Sequence, residues 1–129
     1  MRRKVAVLSM MLLFVGAGIH AYAKNGDHVY VTIDKGISRI DSRQAIWDPQ
    51  GAMTLKGVNK SSSNNDLHVD CMEQRNYLPD PRVDGFTISP GEKGTISIGS
   101  LSDEKYYVRL SNLNWGLMRA CNGRGDLYD

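Results

Sequence analysis

Five stretches of this chain alternate apolar and polar residues with a period of two. In "HVYVTI" (28–33), Val29, Val31 and Ile33 share one side, and in "DLHVDC" (66–71) Leu67, Val69 and Cys71 do the same. Phe86 with Ile88, Ile96 with Ile98, and Tyr106 with Val108 and Leu110 repeat the pattern. Successive side chains of a strand point to opposite faces, so β-branched and aromatic residues at this spacing predict half-buried strands. Pro90-Gly91-Glu92-Lys93-Gly94 and Ser102-Asp103-Glu104-Lys105 are turn sequences, so 86–110 reads as a three-stranded antiparallel meander. "MTLKGV" (53–58) is a further strand. "NKSSSNND" (59–66) reads as a polar loop, and "NYLPDPRVDG" (76–85) as a loop whose prolines exclude it from a central strand. Residues 37–47 fit either helical turns or two short strands around a bend, ended by Asp48-Pro49-Gln50-Gly51.

The N-terminus predicts that this β region is exported. Arg2, Arg3 and Lys4 precede the apolar run "VAVLSMMLLFVGAGI", and Ala21-Tyr22-Ala23 follows it. A basic start, a short apolar core and a small-x-small ending describe a cleaved secretory signal over 1–23. The run falls short of the roughly 20 apolar residues of a membrane span, so no stable membrane anchor is expected. Of the 129 residues, 106 then remain as one exported β domain, 24–129. That size suits a single modest core. The expected location is secreted or periplasmic, in a bacterium.

Export also changes the charge. The whole chain carries 16 basic and 14 acidic residues. Losing the three basic residues of the signal leaves 13 against 14, a net charge near −1. The remaining cations are scattered rather than clustered, so a nucleic-acid partner is not expected. Cys71 and Cys121 are the two cysteines, and an oxidising compartment makes one disulfide the expected state. Closing a loop of about fifty residues, such a bond is worth about 4 kcal/mol. The fold class that follows is all-β and mainly antiparallel: a small Ig-like β-sandwich or a compact barrel with one disulfide.

Catalytic chemistry leaves no trace. The exported part has two histidines, His28 and His68, and none of the usual nucleophile, metalloprotease, phosphate-loop or dinucleotide motifs. His68 and Asp70 share a strand face, but with His28 they read as a solvated polar surface rather than a metal site. Asp80, Asp84 and Asp103 read as turn acids rather than calcium ligands. No enzyme activity, metal or cofactor is expected. Trp47 and Trp115 are assigned to the core or a sheet edge. Tyr107 is adjacent to the inward Tyr106 and is expected to face outward as a binding anchor.

The tail "CNGRGDLYD" carries Arg124, Gly125 and Asp126, the triplet that many integrin ligands present on a loop. With Asn122-Gly123 before it, the triplet is expected on a flexible, exposed tip, with its cation and carboxylate held apart. Tyr128 is next to last and Gly116 fourteenth from the end. At these two positions the chain resembles subunits of chaperone–usher pili, which implies an incomplete Ig-like sandwich whose edge takes a partner's strand. The function expected from the sequence is a secreted or surface-exposed protein acting by protein–protein recognition, an adhesin or virulence-associated factor. The partner would be a host surface receptor or a bacterial protein. A periplasmic inhibitor or immunity-type protein, using loops 59–66 or 76–85, is the alternative, and a pilus subunit a further one.

Overall fold

The computed structural model describes residues 21–23, 28–47, 49, 51–99, 104–112 and 121–129, so most of the signal region, Asp103, Trp115 and Gly116 lie outside the described residues. Ten strands and no helix occur among them: β1 (Ala21–Ala23), β2 (His28–Ile33), β3 (Arg39–Asp41), β4 (Gln44–Trp47), β5 (Met53–Asn59), β6 (Leu67–Gln74), β7 (Arg82–Ile88), β8 (Lys93–Ile98), β9 (Lys105–Ser111) and β10 (Gly123–Tyr128). They form two sheets. The first has the order β1-β4-β9-β6-β7, with β3 also on β9; the second has the order β2-β10-β5-β8. Every pairing is antiparallel except β1 with β4.

The alternating positions build the core. Val29, Val31 and Ile33 of β2, Leu67, Val69 and Cys71 of β6, and Val108 and Leu110 of β9 belong to one buried cluster with Met53, Leu55 and Leu127. Each fully buried aliphatic side chain contributes about 1.5–3 kcal/mol of burial free energy. Asn59 is a buried polar member at the end of β5. Its amide nitrogen donates to the Asn65 carbonyl (2.9 Å) and to the Ile88 carbonyl (3.0 Å), tying β5 to the strand ends of the other sheet.

The expected meander does not form. β7 pairs with β6, β8 with β5, and β9 with β6, so the three consecutive strands alternate between the sheets. The turn is where the chain crosses. Gly91 has a positive φ of 85°, its N–H donates to the Asn59 carbonyl (2.8 Å), and the Asn59 N–H donates to the Glu92 carbonyl (2.9 Å). β8 is thereby handed to β5. The Phe86 ring then lies against the facing sheet, where Gly57 and Gly94 are cross-strand partners. A Cβ at Gly94 would stand 2.7 Å from that ring, and one at Gly57 would stand 2.6 Å from Val69, so a side chain at either position would run into the facing sheet. Alternation in β7 and β8 serves a corner between sheets as well as it serves a hairpin.

Residues 37–47 adopt the two-strand reading. β3 and β4 follow one another along the same edge of β9, with Ile40 opposite Leu110 and Ile46 opposite Tyr106. The bend falls at Ser42. Its N–H donates to the Val108 carbonyl (2.8 Å), its hydroxyl donates to the Gln44 carbonyl (2.8 Å), and that hydroxyl accepts the Val108 N–H (3.1 Å). The ladder is kept across the kink. The loop expected over 76–85 also gives way early, since β7 begins at Arg82, directly after Pro81.

The expected disulfide is absent: Cys71 and Cys121 are both buried free thiols. Cys121 sits at the start of β6, its Sγ 3.2 Å from the Asn65 carbonyl and 3.4 Å from that of Asp66. Cys71 lies five residues beyond Asp66, about 16 Å along an extended chain. A disulfide needs Cα atoms within about 7 Å.

Candidate functional site

Arg124, Gly125 and Asp126 do not form a loop tip. They occupy the middle of β10, a central strand paired with β2 on one side and β5 on the other. The core-facing positions of this strand are Gly123, Gly125 and Leu127, all buried. The space beside Gly125 is filled from the opposite sheet: an added Cβ would come within 2.8 Å of both Leu110 and Val108. Two glycines at inward positions erase the apolar half of the alternation, so the strand reads as a flexible tail.

On the outer face Arg124 and Asp126, two residues apart, are bonded to each other. Arg124 Nε donates to Asp126 Oδ1 (2.9 Å), and a terminal guanidinium nitrogen donates to Oδ2 (3.0 Å). His28 Nε2 lies 2.6 Å from the same Oδ2. Desolvation pushes the Asp126 carboxyl up, but the hydrogen bonds and charges of Arg124 and His28 outweigh it and hold the group below its ordinary value. The guanidinium also stands 4.2 Å over the Tyr30 ring, and the His28 ring stacks on Tyr128 with centroids 4.2 Å apart.

Tyr107 is buried too, at 1% exposure, in a small second cluster with Ala45 and Met72 on the other side of the first sheet. The expectation that it faces outward holds for its direction, opposite to Tyr106, but not for its burial. Its hydroxyl donates to Asp80 Oδ2 (2.6 Å), which ties the sheet to the segment 75–81. Burial, reinforced by that bond, pushes the phenol well above its ordinary pKa, so it stays a donor. Asp80 Oδ1 accepts the Arg75 N–H (2.8 Å), and the Glu73 N–H donates to the Pro81 carbonyl (3.0 Å). Behind Tyr107, Arg109 grips Asp41 through two hydrogen bonds of 2.8 and 3.2 Å. Asp80 and Pro81 thus close the base of the Pro-bearing loop that the sequence offered as one of two candidate binding loops.

The tip of that loop carries Tyr77, 97% exposed, and Leu78, 63% exposed. Next to it, Gln74, Lys105 and Trp47 lie in register across β6, β9 and β4. Trp47 is half exposed, with the Lys105 ammonium 5.8 Å from its ring centroid. It stands at the end of β4 rather than in the core. A shallow cleft of about 520 Å³ runs between Glu73, Gln74, Tyr77, Leu78, Glu104 and Lys105. The Gln74 Oε1 is buried and has no hydrogen-bond partner. The sequence reading named the loop 76–85 but did not single out Tyr77 and Leu78 within it. Their signal was two large apolar side chains between Asn76 and Pro79, in a segment with no period of two.

The histidines do not converge. His28 is in the second sheet, while His68 and Asp70 are in the first, where Thr87 and Arg82 engage them at 2.9 and 2.7 Å. Among the described residues no group of three His, Cys, Asp or Glu side chains is placed to hold a metal ion. No helix among them is long and apolar enough to cross a membrane. No protein-family model matches this chain, and neither a curated protein nor a solved structure does.

Proposed function

We propose that this chain is an exported protein that acts by protein–protein recognition, with the loop 75–81 as its reading surface. The observation that carries the reading is Tyr77, almost wholly exposed on a loop whose base is pinned by Asp80 and Tyr107. Exposing a tyrosine and a leucine side by side is unfavourable unless a partner covers them, and a loop held in shape beforehand loses little entropy on binding. A projecting apolar loop fits a concave partner, which favours the inhibitor or immunity-type role. We read the two facing sheets as a sandwich that serves as the rigid mount.

Adhesion through the triplet has less support, since Arg124 and Asp126 are bonded to each other. The pilus-subunit reading has less as well, since β10 has neighbours on both sides. Enzymatic action is not part of the proposal. The test compares proteins from the producing cell and its competitors that are retained by the wild-type chain with those retained by Tyr77→Ala. Retention of one protein in equal stoichiometry by the wild type alone, with thermal stability unchanged in the variant, supports the proposal. Equal retention by both removes the loop from the account.

A further inference from the structure

We infer a second recognition surface, the outer face of the β2-β10-β5-β8 sheet, whose fit is an acidic segment of a partner protein. The register sets out its side chains in rows. Thr32, Arg124, Val58 and Lys93 form one row, and Tyr30, Asp126, Lys56 and Thr95 the next. Neighbouring strands are about 4.8 Å apart, so Arg124 and Lys93 lie about 10 Å from each other, with Lys56 between them one row along. Three cations thus share a flat patch with one acid, Asp126, whose side chain is 12% exposed and held by Arg124 and His28. Arg75, Arg82, Arg109 and Arg124 each pair with a carboxylate. Lys56 and Lys93 are exposed and stand outside these four pairs. Among the described residues, the other carboxylates next to these strands are Asp34, Glu92 and Asp129, at the strand ends. A domain with more acidic than basic residues therefore turns a positive face outward here.

The aromatic residues of the face narrow the occupant. Arg124 covers a face of the Tyr30 ring, and Tyr128 has His28 stacked on it and Lys56 5.3 Å from its centroid. The rings are engaged with the protein's own side chains, so a base or sugar ring finds no ready stacking platform. Tyr30 is still 54% exposed. Tyrosine beside arginine and lysine on a flat sheet suits carboxylate side chains with an aromatic contact, as in protein interfaces.

The surface is separate from the loop 75–81, and the experiment keeps the two apart. A fluorescein-labelled glutamate-rich peptide, a heparin fragment and a single-stranded oligonucleotide are titrated against the exported chain by anisotropy, at low and at raised salt. The peptide is expected to bind at low salt, to weaken as salt screens the contacts, and to lose about fivefold in affinity in Lys56→Gln/Lys93→Gln. Arg39→Gln on the other sheet and Tyr77→Ala are expected to leave its affinity unchanged, and the double variant to keep its melting temperature. No peptide binding, or binding indifferent to the double variant, overturns the inference. So does tighter binding of heparin or the oligonucleotide through the same two lysines, which would make the face a general polyanion surface.

Discussion

Arg124 and Asp126 face the same side of β10 and close on each other through two nitrogens and two oxygens, at 2.9 to 3.2 Å. The pairing joins neighbours on one strand, and it reaches β2 through His28. Its consequence is acid sensitivity. The Asp126 carboxyl titrates below its ordinary value of 3.8 in the folded chain. A group whose folded pKa is depressed stabilises the fold above its unfolded pKa, and that contribution is lost as pH falls through the folded value. Unfolding midpoints in urea are expected to be flat near neutrality with respect to this group and to fall below about pH 4. Asp126→Asn is expected to be less stable at pH 7 and to lose part of that fall. An identical pH profile in the two proteins would show that the pairing does not couple to folding.

Gly125 sits between Arg124 and Asp126 and faces the core, where Leu110 and Val108 have taken the space of a side chain. Gly125→Ala is expected to destabilise the fold by about 1–3 kcal/mol through overpacking. The cost is steric and not a matter of backbone freedom, since Gly125 is not among the glycines with positive φ. Chemical denaturation measures it, with Gly36→Ala as the contrasting case, where space is free and φ is positive.

The strands were legible where apolar side chains mark the inward positions. Val29, Val31 and Ile33 face inward as the alternation requires, as do Leu67, Val69 and Cys71. β10 was not legible, because its inward positions include Gly123 and Gly125 and the marking residues come from the facing strands. The partnership of β7, β8 and β9 was not legible either. A turn such as Ser89–Glu92 gives the length of a connection but does not say whether the next strand stays in the sheet or crosses the core. Tyr107 points away from Tyr106 as alternation requires, but it is buried rather than exposed. What sequence lacks is Asp80, which comes from 27 positions earlier and covers the phenol.

Tyr107→Phe removes that cover, together with the longer bond that Arg109 donates to the same hydroxyl (3.3 Å). The ring keeps its place beside Met72 and Ala45, while Asp80 loses a 2.6 Å donor. A hydrogen bond to a charged acceptor is worth about 1.5–3 kcal/mol, and partial exposure of Asp80 brings the expected loss to about 1 kcal/mol. The local effect is expected to exceed the global one. The Arg75 amide, which donates to the other oxygen of Asp80, is expected to exchange its hydrogen faster, while amides in the centre of β6 do so only as far as overall stability falls. Unchanged exchange at Arg75 would mean that the loop is held without Tyr107.

Cys71 and Cys121 are expected to remain thiols even without reductant. Burial, with Asp84, Asp70 and Glu73 nearby, pushes the Cys71 thiol up to about 12, so almost none of the nucleophilic thiolate exists at neutral pH. Burial, with Asp66 nearby, raises Cys121 as well. Intact mass is expected to be the same before and after reduction, and alkylation to be slow until denaturant is added, when both sites react. Cys121→Ser keeps a donor for the carbonyls of Asn65 and Asp66 and is expected to be tolerated. Cys71→Ser places a hydroxyl among Val69, Val108 and Leu110 and is expected to cost about 1–3 kcal/mol. A mass two daltons lighter before reduction would mean that the start of β10 and the middle of β6 come together, contrary to the register that places Gly123 opposite Asn59 and Ile33.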